Sequence, residues 1–159
     1  MSISFVLPCF NEEKNLNGAY NALIKAIKKN NIKYEIIFIN DGSSDHTLKV
    51  LKQLKKKYNH IQVLNNKQNR GFGYSFKLGS FKAKMKYVQL LPSDNTFPTT
   101  QLSKMIKNYQ KYDLILSYHF DERIFIRRFI SKAYTSLVNL IFGYNYKYYN
   151  GITIIKKNI

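Results

Sequence analysis

The sequence predicts an α/β protein with a mostly parallel sheet flanked by helices. Short apolar runs alternate along the whole chain with longer amphipathic segments, as in successive βαβ units. Several of the short runs are continuously apolar, which is typical of strands covered on both faces. The chain has 159 residues and no linker-like stretch, so a single domain over residues 1–159 is expected.

Apolar runs identify the strands in order. The first, second and fourth runs are rich in Ile, Val, Leu and Phe, and turn-forming residues follow each of them. The last run is rich in Tyr and Ile. Six strands are predicted, at residues 3–7, 34–40, 61–64, 87–91, 114–118 and 146–155.

Apolar residues at helical spacing identify the helices between the strands. Asp45 is suited to cap the second helix, and Pro98 is suited to the first turn of the fourth. The glycines at positions 71 and 73 open the third helix rather than forming a dinucleotide fingerprint, because they follow the third strand. Helices are predicted over residues 13–30, from 45 onward, 71–84, from 98 onward and 124–142.

Acidic residues are scarce and gather where predicted strands end. Only nine are present, against 26 Lys and Arg. In an open parallel sheet, ligands bind outside the carboxyl ends of the strands. A site that holds a metal ion and the polar groups of a nucleotide is therefore expected at this edge. The seven acidic residues concerned are Glu12, Glu13, Asp41, Asp45, Asp94, Asp121 and Glu122.

The formal charge of +17 indicates an anionic partner or a solvated lysine-rich surface. Nucleic acid, anionic lipid headgroups and phosphorylated substrates all fit the charge. The sequence carries no nucleic-acid recognition motif, so a nucleic-acid partner is not expected. It also shows no signal peptide and no run of roughly 18 apolar residues. A cytoplasmic protein, peripheral at the inner face of the membrane, is predicted, and Cys9 is expected to be a small buried hydrophobic residue.

Three loop motifs follow the first, second and fourth strands. They are Pro8-Cys9-Phe10-Asn11-Glu12-Glu13, Asn40-Asp41-Gly42-Ser43-Ser44-Asp45 and Pro92-Ser93-Asp94-Asn95. The residues at 69–73, 127–131 and 149–151 add further matches. With these motifs the chain resembles the family 2 glycosyltransferases, which have the Rossmann-like GT-A fold. Within that family it is most similar to the polyprenyl-phosphate sugar transferases of the dolichol-phosphate mannose synthase type.

The resemblance implies transfer of a sugar from a UDP- or GDP-linked donor to an acceptor, with a polyprenyl phosphate as the first choice. Asp94 would be the catalytic residue and the ligand of a divalent cation, Mg or Mn. Arg127 and Arg128 would bind the acceptor phosphate. The residues implied for nucleotide-sugar binding are Pro8, Phe10, Glu12, Asp41, Ser93 and Asp94.

The chain departs from the family pattern in three places. Pro92 stands where the first Asp of the metal motif is usual, and Asp94 alternatively caps the loop that leads to Pro98. No Arg directly follows the fifth strand, and Arg127 and Arg128 fit an exposed helix face equally well. The chain ends at Ile159, soon after the last motif, so it is expected to be a minimal form, a partner-dependent catalytic subunit or a truncated product.

The acceptor has a second interpretation. A phosphate is already ionised and needs no general base, whereas a saccharide hydroxyl needs a carboxylate to take its proton. Asp121 and Glu122 are the candidates for that base. The helix at 124–142 carries a basic side and an apolar side, which fits a membrane surface or packing on the sheet. A non-catalytic module that binds a nucleotide-sugar or a membrane surface is the alternative from another class.

Overall fold

The computed structural model of the protein describes residues 2–117, 125–146 and 151–157. The strands are β1 (Ser2–Cys9), β2 (Lys33–Asp41), β3 (Ile61–Asn66), β4 (Tyr87–Leu90), β5 (Leu114–Leu116) and β6 (Thr153–Lys156). The helices are α1 (Leu16–Lys28), α2 (Thr47–Lys57), α3 (Phe72–Lys82), α4 (Thr99–Asn108) and α5 (Phe125–Phe142), and a 3₁₀ turn spans Tyr109–Lys111.

The strands form one six-stranded sheet in the order β3-β2-β1-β4-β6-β5. β1 runs parallel to both β2 and β4, and β2 runs parallel to β3. β6 is antiparallel to β4. The predicted α/β class with a mostly parallel sheet is confirmed. Since β1, β2 and β4 are parallel neighbours, the loops that follow them leave the same edge of the sheet.

The core lies around β1 and β2, whose side chains are buried on both faces. Val6, Ile37 and Ile39 form an apolar cluster on the face that α3 covers. A Cβ atom at Gly79 of α3 would lie 2.4 Å from Val6 Cγ1 and 2.9 Å from Ile39 Cδ1. The absence of a side chain at this glycine lets α3 pack directly on the strands.

The predicted start of the last strand, at residue 146, is wrong. Tyr146 is not in a strand, residues 147–150 lie outside the described part, and β6 begins only at Thr153. Asn139 of α5 explains the difference, because its side chain binds both backbone groups of Tyr146. Tyr146 N donates to Asn139 Oδ1 at 3.1 Å, and Asn139 Nδ2 donates to the Tyr146 carbonyl at 2.9 Å. These groups are then engaged with the helix instead of a sheet ladder.

Two other element boundaries differ from expectation. α4 begins at Thr99, so Pro98 precedes the first helical residue instead of lying in the first turn. The Pro98 carbonyl accepts hydrogen bonds from Gln101 N at 3.1 Å and Leu102 N at 3.2 Å, as an N-cap residue does. β5 ends at Leu116, and the Ser117 amide donates to the Ile152 carbonyl at 2.9 Å.

The chain forms two compact units. The first comprises Met1–Ile115 with Ile154–Ile159, and the second comprises Leu116–Thr153. The second unit consists mainly of α5, which exposes large apolar side chains from Phe125 to Phe142. Within the described residues, every helix is too short or too polar to cross a lipid bilayer. The single-domain organisation stays a prediction.

Candidate active site

The loops after β1 and β2 are joined by hydrogen bonds. Asn11 N donates to Ser43 Oγ at 3.0 Å, and Ser44 N donates back to Asn11 Oδ1 at 2.9 Å. Asn11 has a φ of 56°, a left-handed conformation that Asn tolerates better than most residues. The first two motifs thus form one surface at the sheet edge, although Asn11 and Asn40 are 29 positions apart in the sequence.

The adjacent acidic residues extend this connection into the starts of α1 and α2. Glu12 N donates to Thr47 Oγ1 at 2.8 Å, and His46 N donates to Glu13 Oε2 at 2.8 Å. The Glu12 carboxylate is half-buried and accepts one hydrogen bond, from Asn15 Nδ2 to Oε2 at 2.7 Å. Its Oε1 atom does not take part in that bond and is suited to accept from a sugar hydroxyl.

Asp41, at the end of β2, is 3% exposed and holds the loop that follows β3. Its Oδ1 accepts from Asn66 Nδ2 at 2.7 Å and from the Arg70 amide at 3.0 Å. Burial favours the neutral acid, but the hydrogen bonds from Asn66, Arg70 and Ser75 outweigh it and keep the Asp41 pKa below its ordinary value. Asp41 is therefore a charged, acceptor-only group at neutral pH.

The third loop is anchored to the first by Ser93. Ser93 is buried, and its hydroxyl donates to the Pro8 carbonyl at 2.8 Å. Pro8 is itself buried in β1, where it pairs with Ile39. Pro8 and Ser93 thus hold the first and third loops together, and their predicted role in nucleotide-sugar binding stays a prediction.

Asp94 is exposed, and one of its oxygens caps the turn after β4. Its Oδ1 accepts from Thr96 N at 3.1 Å and from Thr96 Oγ1 at 2.7 Å. The expected loop cap is therefore present, at Thr96. Neither bond reaches Oδ2, so a capping Asp94 still has an oxygen for a ligand. The next residue, Asn95, has a φ of 60° and packs against α1 at Gly18, where a Cβ would lie 2.9 Å from Asn95 Nδ2.

Cys9 and Phe10 follow each other at the end of β1 and differ in exposure. Cys9 is 1% exposed, and burial raises the pKa of its thiol to about 12, so it is inert at neutral pH. Its prediction as a small buried hydrophobic residue is confirmed. The ring of Phe10 is 47% exposed, which leaves a face available for a base or ribose.

At this edge, one carboxylate would coordinate a divalent cation, and not a full set of protein ligands. Within the described residues, no three His, Cys, Asp or Glu side chains lie close enough together to hold a metal ion. Mg²⁺ is commonly bound by one or two carboxylates together with substrate phosphates and water. The free Oδ2 of exposed Asp94 fits that kind of shared site.

The acceptor residues are only partly described. Arg128 is exposed on α5, whereas the side chain of Arg127 and the whole of Asp121 and Glu122 lie outside the described residues. An acceptor role for Arg127 and Arg128 stays a prediction. Arg70 is in a different setting, because its guanidinium lies 4.2 Å from the centre of the Tyr74 ring.

Sequence reasoning missed two residues that support the site. Asn66 holds the Asp41 carboxylate, and Asn11 connects the first two loops. Asn11 lies inside the first motif, where an Asn before two acidic residues suggests a turn. Asn66 had no comparable signal, because its partner is 25 residues earlier and meets it only through the pairing of β2 with β3.

A mostly parallel sheet whose loops after β1, β2 and β4 meet at one edge is the architecture of the GT-A fold. Among solved structures, glucosyl-3-phosphoglycerate synthase from Mycobacterium tuberculosis, determined with Mn²⁺, UDP and phosphoglyceric acid, is similar with a TM-score of 0.71. The match covers 98% of this chain and 56% of that chain at 16% sequence identity. The chain belongs to glycosyl transferase family 2, whose sequence profile matches residues 4–158.

Two curated relatives differ in the chemistry that their names specify. A dolichyl-phosphate beta-glucosyltransferase of Trichomonas vaginalis is 28% identical over 146 residues, covering 80% of this chain and 45% of the relative. A poly-beta-1,6-N-acetyl-D-glucosamine synthase of Staphylococcus epidermidis is 30% identical over 112 residues, covering 69% of this chain and 26% of the relative. The chain thus spans less than half the length of these relatives.

Asp45 makes the site sensitive to acid. Its Oδ1 accepts from Thr47 N at 2.9 Å and its Oδ2 accepts from Glu13 N at 3.2 Å. Burial alone would raise the Asp45 pKa, but hydrogen bonds from the Thr47 side chain and from the Thr47 and Glu13 amides outweigh it and lower the pKa below its ordinary value of 3.8. The ionised form therefore stabilises the folded state above that pH, and this stabilisation is lost as pH falls through the folded-state pKa.

We expect Asp45→Asn to lower the free energy of unfolding at neutral pH and to lower it progressively less toward acid. Urea denaturation of both proteins across this pH range measures the difference. A difference that stays constant with pH would contradict a role for the Asp45 charge. The Asn side chain keeps one oxygen for the Thr47 amide but places an NH2 group against Glu13 N, so a constant loss is expected from that contact and only the pH-dependent part of the difference reports the carboxylate charge.

Proposed function

We propose that the chain is the donor-binding and catalytic part of a metal-dependent glycosyltransferase. It would move a sugar from a UDP- or GDP-linked donor to a polyprenyl phosphate at the cytoplasmic face of the membrane. The observation that carries the proposal is the single polar edge at which the loops after β1, β2 and β4 meet. Hydrogen bonds between the loops fix this edge, while Phe10 and Asp94 remain exposed on it.

The residues of the chain would act mainly by binding and orienting the donor. The half-exposed ring of Phe10 stacks on the base or ribose, Glu12 accepts from sugar hydroxyls and Asp41 accepts from the base or the ribose. Pro8 and Ser93 act through the loops that they hold in place. Such positioning supplies a large part of the rate enhancement in group transfer.

In the reaction, an acceptor oxygen forms a bond to the anomeric carbon while the bond from that carbon to the nucleotide diphosphate breaks. The configuration at the anomeric carbon is inverted. A divalent cation, Mg or Mn, held by Asp94 and the diphosphate, would stabilise the negative charge on the departing nucleotide. The Mn²⁺ and UDP named for the mycobacterial structure support a cation in this fold.

The lipid-phosphate acceptor is supported by chemistry and by one relative. A phosphate oxygen is ionised at neutral pH, so this transfer needs no general base. The name of the Trichomonas vaginalis relative specifies a dolichyl phosphate. Arg127 and Arg128 would bind the acceptor phosphate, because a planar guanidinium matches its oxygens.

Transfer to a saccharide hydroxyl is the second candidate, and the Staphylococcus epidermidis relative favours it. That acceptor must lose a proton, so a carboxylate near the acceptor is needed. Asp121 and Glu122 are the residues proposed for this role. The two candidates therefore differ in whether activity requires a side-chain base.

A peripheral membrane location follows from the proposed acceptor. α5 exposes an unusual number of large apolar residues together with basic ones, which suits a helix lying at an anionic membrane surface. A membrane-bound partner subunit would also bring the chain to the membrane surface. The apolar residues of α5 that are more than half exposed include Phe125, Ile126, Phe129, Ile130, Leu137 and Leu140.

A transfer assay tests the proposal. UDP- and GDP-sugars are supplied with Mg or Mn, with and without a short polyprenyl phosphate, and sugar-labelled product is measured. Metal-dependent transfer that requires the lipid phosphate is the expected result. Transfer only to an added oligosaccharide would favour the saccharide candidate. Nucleotide binding without turnover on either acceptor would contradict the proposed transferase activity and favour a non-catalytic binding module.

A further inference from the structure

An apolar groove lies between α3 and the strands β4 and β6. Val88 of β4 and Ile155 of β6 are paired residues of the two strands, so their side chains lie on the same face of the sheet and form the floor of the groove. Phe76 and Phe81 of α3 form one wall, and Phe81 is 72% exposed. This α3–β6 groove has a volume of about 410 Å³, which is enough for several apolar side chains.

The α3–β6 groove is separate from the edge that carries the candidate active site. α3 runs from the loop after β3 toward the start of β4, and the groove is lined by this helix from Phe76 onward. On the strand side, the lining residue Lys156 pairs with Tyr87, the first residue of β4. The loops of the candidate active site follow the other ends of the strands. A ligand in the groove would therefore leave the donor site open.

The shape of the groove suits a helix. Helices commonly cover both faces of a mostly parallel sheet. Within the first compact unit, α3 packs mainly on β1 and β2 and leaves the groove over β4 and β6 open. A further helix packs beside an existing one when side chains of one fill the spaces between side chains of the other. The apolar floor and the exposed Phe81 ring offer such a surface.

Lysines line the groove on both its helix side and its strand side. Lys77 belongs to α3, Lys156 belongs to β6 and Lys157 directly follows it. Lys156 Nζ pairs with Asp113 at 2.7 Å, and Lys157 Nζ donates to the Ala83 carbonyl. Lys77 has no ion-pair partner among the described residues. The rim is therefore net positive, while the lysine stems extend the apolar surface.

We propose that the α3–β6 groove docks an amphipathic helix of a partner protein. Its apolar side chains, at positions i, i+3, i+4 and i+7, would fill the groove, and Asp or Glu on its flanks would face the lysines. Positive charge on both sides of the groove matches a helix with two acidic flanks better than a lipid with one anionic headgroup. The α5 helix of a second copy does not match in charge, because α5 contains Arg127, Arg128 and Lys132 and no acidic residue.

The test is a fluorescence anisotropy titration of the full chain with a labelled model helix that has Leu at i, i+3, i+4 and i+7 and Glu on both flanks. One comparison peptide has the same composition in scrambled order, and another has Lys in place of Glu. We expect the patterned Glu peptide to bind at least about tenfold more tightly than either, with or without saturating UDP. Equal binding of the scrambled peptide, or competition by UDP, would overturn the proposal. Binding of dodecyl phosphate without binding of the peptide would assign the groove to a lipid and also overturn it.

Three variants locate the peptide in the groove. Phe81→Ala removes an exposed part of the wall and is expected to weaken binding by about tenfold without unfolding the protein. Lys77→Glu is expected to weaken binding of the Glu peptide and strengthen binding of the Lys peptide. Lys52→Glu makes the same charge change on α2, which contributes no residue to the groove, and is expected to leave the preference unchanged. Wild-type affinity in Phe81→Ala, or equal effects of the two charge changes, would overturn the proposal and leave the proposed function standing.

Discussion

Replacing Asp94 by Asn is expected to lower metal-dependent sugar transfer by about a hundredfold to a thousandfold, the range seen when one group that stabilises transition-state charge is lost. The loss follows from the proposed role of Oδ2 as the protein ligand of the cation. Asn keeps a side-chain oxygen for Thr96 N and Thr96 Oγ1, so the turn that Asp94 caps is preserved. Initial rates over a range of Mn concentrations, with thermal unfolding beside them, measure the effect.

Two comparison variants separate charge from structure. Asp113→Asn removes an exposed carboxylate that pairs with Lys156 Nζ at 2.7 Å, outside the strand-end loops, and is expected to leave transfer unchanged. Asp94→Ala removes the cap together with the charge. If Asp94→Asn remained fully active while Asp94→Ala lost activity, Asp94 would be a loop cap alone, and the cation would need another ligand.

The fold could be predicted largely because the evidence for it is local. Apolar runs and helical spacing located β1 to β4 and the helices between them, since burial of strands on both faces leaves a plain pattern in the sequence. The prediction of where the last strand begins was wrong for a non-local reason. The alternating tyrosines resemble a strand, yet Asn139, seven residues before Tyr146, binds the backbone that a strand would use.

The candidate site was predictable to the level of its loops and no further. The order of motifs after β1, β2 and β4 predicted which loops share an edge, because parallel neighbours end together. Which residues anchor the loops and which remain available to a ligand depends on contacts across the sheet. The sequence does not indicate that Ser93 is a buried anchor or that Asn66 occupies one oxygen of Asp41. Both partners are brought together only by strand register.

Replacing Gly42 by Ala is expected to destabilise the protein by about 2 to 4 kcal/mol and to weaken nucleotide binding. Gly42 has a φ of 70°, in the left-handed region, where a side chain alone costs about 1 to 2 kcal/mol. A Cβ there would also lie 2.3 Å from the Gln68 carbonyl carbon and 2.4 Å from Asn69 N. Both of these atoms belong to backbone, so the β3–α3 loop itself must move.

That movement connects stability to function, because the same loop supplies the Arg70 amide to Asp41. Displacing it breaks or lengthens that hydrogen bond, so Asp41 loses its fixed orientation toward the base. Urea denaturation and UDP titration of one sample measure both effects. Gly73→Ala is the control, since a Cβ at Gly73 meets no atom within 4 Å, and Ala in a helix is expected to be neutral or stabilising. Wild-type stability in Gly42→Ala would mean that the β3–α3 loop moves away from Gly42 at little cost. The inference that this loop holds Asp41 in a fixed orientation would then be wrong.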